Sequence, residues 1–128
     1  MNKKEIKLKL PLPISINKAY NNSKNWRVKT QFYKDYIKQV EFDFLQMEEQ
    51  FKIIWDNWLE CNYKFYFQIY NKDWSIKNRD TFNFEKVLND TLSLFIEWFQ
   101  DKKIKRWIVE KIDSNIEFCK IIIKEIEK

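Results

Sequence analysis

Acidic and basic side chains near residues 79–92 are the best candidates for chemistry in this chain. Lys86 and Asp90 are four residues apart, so they share one face if this segment is helical. Asp80 precedes that helix and Asp101 follows it, and all four side chains could face one site. Carboxylates are the ligands that Mg²⁺ and Mn²⁺ prefer. Taken alone, these residues favour a structural alternative, in which Asp80 caps the helix, Lys86 and Asp90 form a surface ion pair, and Asp101 belongs to a turn.

The residue types that are missing exclude whole classes of enzyme. The chain of 128 residues contains no glycine and no histidine. Without glycine there is no P-loop or dinucleotide-binding fingerprint, and without histidine there is no imidazole base or ligand. Cys61 and Cys119 match no zinc-binding spacing, so we expect reduced thiols in the core and a reducing compartment. Chemistry based on oxygen-bound Mg²⁺ or Mn²⁺ is compatible with what remains.

The positive charge is concentrated at the start of the chain. The formal net charge is +5, and residues 1–40 carry ten lysines and arginines against two acids. Such a basic arm suits a polyanionic partner, although a solvated lysine-rich surface is the simpler alternative. The asparagine-rich segment Ser15–Thr30 is the best DNA-contact candidate, because it combines two aromatic residues with Lys18, Lys24, Arg27 and Lys29.

Hydrophobic periodicity predicts the elements that position these residues. We expect a strand at Ile6–Leu10, a loop at Ser15–Thr30, a helix capped by Thr30 and ending near Glu49 or Phe51, a strand at Tyr63–Tyr70, a polar loop at Asn71–Arg79, a helix at about Phe82–Trp98, and strands at Ile104–Lys111 and Ile116–Ile126 joined by a turn at Asp113–Asn115. The order β-α-β-α-β-β predicts a single α/β (α+β) domain over residues 1–128, with a mixed sheet and two main helices. The aromatic residues expected in the core or at a dimer interface are Phe65, Phe67, Phe95, Trp98, Phe99 and Trp107.

Nothing in the sequence predicts a membrane-associated protein. The first residues lack the apolar region of a signal peptide, and no apolar stretch approaches the ~20 residues that a membrane span needs. We therefore expect a cytoplasmic protein without a membrane partner.

Three blocks of the sequence resemble one known family. The first is Leu10–Tyr20, LPLPISINKAY, which is similar to a family pattern LPLPPSxNxxY. The second is Arg79–Leu92, which resembles R-D-x-D-N-x-x-K-x-x-x-D-x-L, and the third is Asp101–Lys111, which resembles the turn DDSQI and the strand after it. The family is that of the RusA Holliday junction resolvases. The coincidence of three blocks in order is more specific than any one of them.

The resemblance implies roles for individual residues. Asp80 matches the first catalytic aspartate, Lys86 the catalytic lysine, Asp90 the aspartate of the helix, and Asp101 the second aspartate of the turn. Asp80, Asp90 and Asp101 would then bind Mg²⁺ or Mn²⁺. The residues expected to contact DNA are Lys18, Lys24, Arg27, Lys29, Arg79, Lys102 and Lys103. Two positions depart from the pattern, because Phe82 stands where the family has a second metal-binding aspartate and Gln100 replaces the first aspartate of the turn.

The function that the resemblance implies is metal-dependent resolution of four-way DNA junctions, in DNA recombination and repair. The expected protein is a homodimer that nicks two opposed strands and needs no organic cofactor. One alternative is a catalytically impaired protein of the same fold that still binds junctions, since DNA affinity rests on many phosphate contacts. A second alternative is a small basic domain with an unrelated partner.

Overall fold

The chain folds into a mixed sheet with helices packed on one of its faces. A computed structural model describes residues 5–23, 26–46, 58–76, 81–96 and 98–126. Its elements are β1 (Glu5–Leu10), α1 (Ile16–Ala19), β2 (Tyr20–Ser23), β3 (Trp26–Lys29), α2 (Gln31–Gln46), β4 (Trp58–Phe67), α3 (Thr81–Phe95), a 3-10 turn (Asp101–Lys103), β5 (Ile104–Asp113) and β6 (Phe118–Ile126). The predicted α+β class, with a mixed sheet and two main helices, is confirmed.

The main sheet has the strand order β1-β6-β4-β5. β6 runs antiparallel to both β1 and β4, whereas β4 and β5 are parallel and α3 lies in the crossover between them. The predicted link between the last two strands does not make a hairpin, because β4 lies between them. It crosses the end of β4, where the Ser114 amide donates to the Phe67 carbonyl at 3.0 Å and the Ile69 amide donates to Asp113 Oδ1 at 3.0 Å.

Alternation along the strands separates a buried face of the sheet from an open one. In β1, Ile6, Leu8 and Leu10 are buried while the lysines between them are exposed, as predicted. β4 follows the same pattern, and α2 and α3 bury their apolar stripes against this side of the sheet. The largest fully buried side chains are Tyr33, Tyr63, Phe65, Phe67, Phe99, Leu10, Leu59, Leu88, Leu92, Ile96 and Ile121.

The aromatic residues predicted for the core or a dimer interface differ in how deeply they are buried. Phe65, Phe67, Trp98 and Phe99 are buried. Phe95 is half-buried and stacks on Phe44, whereas Trp107 on β5 is 38% exposed. The two predicted core thiols are both free and buried.

Thr30 begins α2 as predicted. Its Oγ1 accepts a hydrogen bond from the Tyr33 amide at 3.3 Å, which satisfies one of the free donors at the helix start. The same hydroxyl contacts the carbonyl oxygens of Lys18 and Ala19, at 2.5 and 3.2 Å, so one residue caps α2 and secures the end of α1. The predicted end of this helix near Glu49 or Phe51 lies outside the described residues.

Several predicted element types and boundaries were wrong. The strands predicted at Ile104–Lys111 and Ile116–Ile126 are Ile104–Asp113 and Phe118–Ile126. The segment Ser15–Thr30 is not a loop, because it contains α1 and the antiparallel pair of β2 and β3. Its asparagines, which are poor strand formers, hid the strand tendency of its aromatic and β-branched residues. The strand predicted at Tyr63–Tyr70 is Trp58–Phe67, since the alternating burial begins at Leu59. α3 ends at Phe95, before Trp98 and Phe99, which are buried in the following turn.

Of the helices within the described ranges, none combines the length and the apolar character needed to cross a membrane.

Candidate functional site

The carboxylate of Asp90 on α3 lies at the centre of the candidate site. Tyr20 donates a hydrogen bond to Asp90 Oδ2 at 2.7 Å. On the other oxygen, Lys86 Nζ lies 3.9 Å from Asp90 Oδ1, which confirms the predicted pairing of these residues on one helix face. The Asp90 side chain is 31% exposed and that of Lys86 is 42% exposed, so both remain accessible to a ligand. The carboxylate is therefore held from two sides without being buried.

Tyr20 is placed by the junction of α1 and β2. It is the first residue of β2, and its ring packs edge-on against Tyr33 at 5.3 Å between centroids. Burial raises the pKa of Tyr20, and the hydrogen bond with Asp90 raises it further. The phenol thus stays protonated at neutral pH and acts as a hydrogen-bond donor. Sequence reasoning did not place Tyr20 in the site, although its position at the end of the first family-like block was a usable signal.

Tyrosine hydroxyls set the rotation of α3. Three consecutive residues of the helix each meet a tyrosine from a different element: Asn89 with Tyr63 at 2.5 Å, Asp90 with Tyr20 at 2.7 Å, and Thr91 with Tyr33 at 3.0 Å. These tyrosines come from β4, β2 and α2. Because successive helical residues point in directions about 100° apart, three such contacts fix both the rotation and the axial position of the helix. The orientation of Asp90 is therefore set by the tertiary structure.

Asp101 lies at the start of the 3-10 turn that leads into β5, and it is exposed. Burial raises the pKa of Tyr63 well above its usual value, and the charges of nearby groups, including Asp101 and Glu85, add to that effect. Tyr63 is also the tyrosine that donates a hydrogen bond to Asn89 of α3.

The described residues supply part of the predicted metal-binding set. Within the described ranges, no three carboxylate or thiol side chains gather closely enough to hold a metal ion. Asp80 lies outside those ranges, which leaves Asp90 and Asp101 from the predicted set. Their oxygens match Mg²⁺ or Mn²⁺ in type, and Mg²⁺ commonly takes one or two protein carboxylates beside water and phosphate. A metal at Asp90 would have to share the carboxylate with Tyr20 and Lys86.

The predicted DNA-binding residues that the structure describes belong to two parts of the fold. In the first part, Lys18 is exposed at the end of α1, and Lys29 ends β3 with its Nζ 5.9 Å from the centre of the Tyr33 ring. In the 3-10 turn, Lys102 is exposed and Lys103 is half-buried, directly after Asp101. Of the remaining predicted residues, Arg27 belongs to β3 by its backbone, and Lys24 and Arg79 lie outside the described residues.

No protein-family model matches this chain, and no curated protein matches it. The likeness to the RusA resolvases therefore rests on the three sequence blocks alone.

Proposed function

We propose that this protein is a structure-selective endodeoxyribonuclease that resolves four-way DNA junctions by metal-dependent phosphodiester hydrolysis. The observation that carries the proposal is the hydrogen bond from Tyr20 to Asp90. It joins the tyrosine that ends the first family-like block to the helix aspartate of the second block, 70 residues away. A contact between the two blocks at the proposed catalytic carboxylate is what a shared site would require, and it supports the proposal to that extent.

The charged residues of the site have separate roles in this proposal. Asp80, Asp90 and Asp101 would hold Mg²⁺ or Mn²⁺, which would supply an activated water and stabilisation of the leaving oxygen. Lys86, whose ammonium group is close to Asp90, offsets the negative charge that develops on the phosphate. Tyr20 is a positioning residue, since it acts on the reaction only through the orientation of Asp90.

The basic residues predicted from the sequence would hold the DNA backbone. Lys18, Lys24, Arg27, Lys29, Arg79, Lys102 and Lys103 are assigned to phosphate contacts. Such contacts set the position of a duplex without reading its bases, which suits an enzyme that recognises the shape of a junction. Lys18 and Lys29 would hold one arm and Lys102 and Lys103 another, because the two pairs belong to different parts of the fold.

Two symmetric cuts require two sites, which a dimer with twofold symmetry presents. We assign the dimer contact to β5, which lies at an edge of the main sheet and pairs only with β4 among the strands described. Its Trp107 and Ile108 are 38% and 36% exposed. Sedimentation should show a dimer that Ile108→Glu converts to monomer. Ile116→Glu, which changes an exposed residue beyond β5, should leave the dimer intact, and a wild-type monomer at all concentrations would exclude this assignment.

The test of the function is cleavage of a labelled synthetic four-way junction with Mg²⁺ or Mn²⁺, beside a gel shift in EDTA. Paired symmetric nicks are expected, and Asp80→Asn should abolish them while the gel shift remains. A tight shift without nicks from the wild-type protein would support the alternative of a junction-binding protein. Absence of both shift and nicks would exclude either function.

A second variant tests the positioning role of Tyr20. Tyr20→Phe removes the hydroxyl that holds Asp90 but keeps the ring against Tyr33. Loss of a residue that orients a metal ligand typically costs about 10- to 100-fold in activity or metal affinity, and we expect this range for cleavage. The metal concentration needed for half-maximal cleavage should rise, and junction binding in EDTA should not change. Tyr70→Phe, at an exposed tyrosine, is the matched control.

A further inference from the structure

The open face of the sheet, opposite the helices, carries an unusual arrangement of charge. Lys120 on β6 lies directly opposite Lys9 on β1 and directly opposite Lys64 on β4. We call these three residues the lysine row. Neighbouring strands are about 4.7–4.9 Å apart, and like charges directly opposite one another on a sheet are destabilising. The lysine row therefore costs stability in the free protein.

A second row on the same face avoids such repulsion by alternating positive and negative residues. Four residues from the same four strands alternate in sign across the sheet: Glu5, Lys124, Glu60 and Arg106. In this mixed row, Arg106 Nη1 is 2.9 Å from Glu60 Oε1. Lys120 and Lys124 thus share a strand, a face and a residue type, and differ in their neighbours.

Carboxylates do not neutralise the lysine row. None of its three ammonium groups forms an ion pair with a carboxylate of the described residues. Glu110 on β5 is opposite Lys64, but the two do not form an ion pair either. The positive potential of the row consequently remains available to an anion from solution.

The lysine row lies in a groove of about 430 Å³. The groove is lined by Lys7, Lys9, Lys64 and Lys120 together with Asn62, Tyr66 and aliphatic residues, and no acidic residue lines it. The Asn62 Oδ1 atom is the one buried side-chain oxygen in the described part of the chain without a hydrogen-bond partner. A groove of this size is within the range of about 300–1,000 Å³ that small-molecule sites occupy.

Aromatic rings lie beside the lysines. Tyr66 and Phe118 stack with their centroids 4.2 Å apart and their planes 9° from parallel. Lys9 Nζ lies 4.6 Å from the centre of the Phe118 ring, and Lys120 Nζ lies 5.5 Å from that of Tyr66. Both rings are half-buried, so part of their surface is open to a ligand. Cations and an aromatic surface are therefore held together on a rigid sheet.

We propose that this groove binds single-stranded nucleic acid. The lysine row contacts successive phosphates, and one base lies against the Tyr66–Phe118 pair. Positive grooves with aromatic surfaces are how proteins bind single strands without sequence preference. A duplex does not fit this description, because its bases are already stacked, and a second copy of the same face would be repelled by the like charge. The site requires neither a metal nor the carboxylates of the nuclease site.

The first test measures binding of a short fluorescein-labelled oligothymidylate by anisotropy, in EDTA and over a range of salt concentrations. Lys120→Gln should weaken binding and reduce the salt slope by about 0.7, the contribution of one phosphate contact on a single strand. Lys124→Gln removes the same charge from the mixed row and should leave the slope unchanged. Equal effects of the two substitutions would show that net charge alone attracts the strand, and would overturn the proposal, as would an absence of binding.

The second test concerns the aromatic pair. Tyr66→Leu should lower the affinity for oligothymidylate between about fivefold and a hundredfold, the usual effect of losing one stacked base. Its affinity for an abasic strand of the same length should equal that of the wild-type protein. An equal loss for both strands would exclude a base against Tyr66.

These tests are independent of the nuclease proposal. An unbranched strand in EDTA is not a substrate, so Asp80→Asn should bind it as the wild-type protein does. Junction cleavage without single-strand binding would overturn this inference alone. Single-strand binding without junction cleavage or junction binding would overturn the nuclease proposal alone.

Discussion

The helix-covered face of the sheet pairs its polar groups, whereas the open face leaves a row of three lysines that form no ion pair with a described carboxylate. On the covered side, Tyr63 and Asn89 satisfy each other in the core, and Tyr20 meets Asp90 at its edge. On the open side, water and dissolved anions can screen the lysine row, so the fold tolerates it. A buried polar group without a partner would cost far more. The polar contacts of the covered side are therefore needed by the fold, whereas the charges of the lysine row are free to bind a ligand.

The two faces should differ most in how much a substitution lowers the free energy of unfolding, and neighbouring residues of β4 allow this comparison. Phe65 is fully buried on the covered side, and Phe65→Ala should lower the free energy of unfolding by about 3–5 kcal/mol through lost burial and a cavity. Lys64→Ala, on the open side, should change it by less than about 0.5 kcal/mol. Urea denaturation measures both. Similar losses for the two variants would contradict the assignment of the faces.

Alkaline pH should lower the free energy of unfolding, because two thiols are buried on the covered side of the sheet. Burial raises the pKa of Cys61 from 9.0 to about 12, and that of Cys119 likewise from 9.0 to about 12. The pKa of each thiol is higher in the folded protein than in the unfolded chain, so each thiol contributes to the free energy of unfolding, fully below pH 9. This contribution is lost as the pH rises towards 12, at up to about 1.4 kcal/mol for each thiol and each pH unit. The double variant Cys61→Ala, Cys119→Ala should show a shallower loss over that range. Parallel stability curves for the two proteins would refute the effect.

The hydrogen bond between Tyr63 and Asn89 should contribute more to the free energy of unfolding than any hydroxyl group on the open face does. Tyr63→Phe leaves the buried Asn89 Oδ1 without its donor, at an expected cost of about 1–3 kcal/mol. The same substitution at Tyr66, where the structure shows no hydrogen bond from the hydroxyl, should be nearly neutral. Thermal and urea unfolding of the two variants give the comparison, and an unchanged stability of Tyr63→Phe would show that this bond is dispensable.

The smallest expected change in the free energy of unfolding comes from replacing a lysine on the open face. Its sign should differ between the lysine row and the mixed row. Lys120→Gln should raise the free energy of unfolding by about 0.2–1 kcal/mol, since it relieves repulsion from Lys9 and Lys64. Lys124→Gln should lower it slightly, because Lys124 lies between Glu5 and Glu60. High salt should bring the two variants together, as it screens exposed charges. A stabilising effect of both substitutions at low salt would point to net charge as the cause.

Local signals predicted much of the fold. Thr30 caps α2, β1 alternates, and Lys86 faces Asp90, because each depends on residues a few positions apart. The pair of β2 and β3 was missed, because its asparagines resemble those of a loop. The insertion of β6 between β1 and β4 was not predictable either, since strand order depends on contacts between distant segments.

The candidate site was predictable by residue type but not by geometry. The family-like blocks predict Asp90 and Asp101 as metal ligands, which stays a prediction, and helical periodicity places Lys86 beside Asp90. Nothing local connects Tyr20 with Asp90, because the contact requires α1, β2 and α3 to meet. Polar contacts between remote segments form only once packing has brought the elements together.

By itself, the sequence determined which chemistry is possible and which residues point inwards. The lack of glycine and histidine, the excess of lysine near the start, and the alternation in β1 are all visible without a structure. Only the tertiary structure decided which charges from distant segments became neighbours. Lys9, Lys64 and Lys120 form a row because the register of three strands aligns them, and a shift of one residue would turn each side chain to the other face. Register depends on the packing of the whole core, which no local pattern contains.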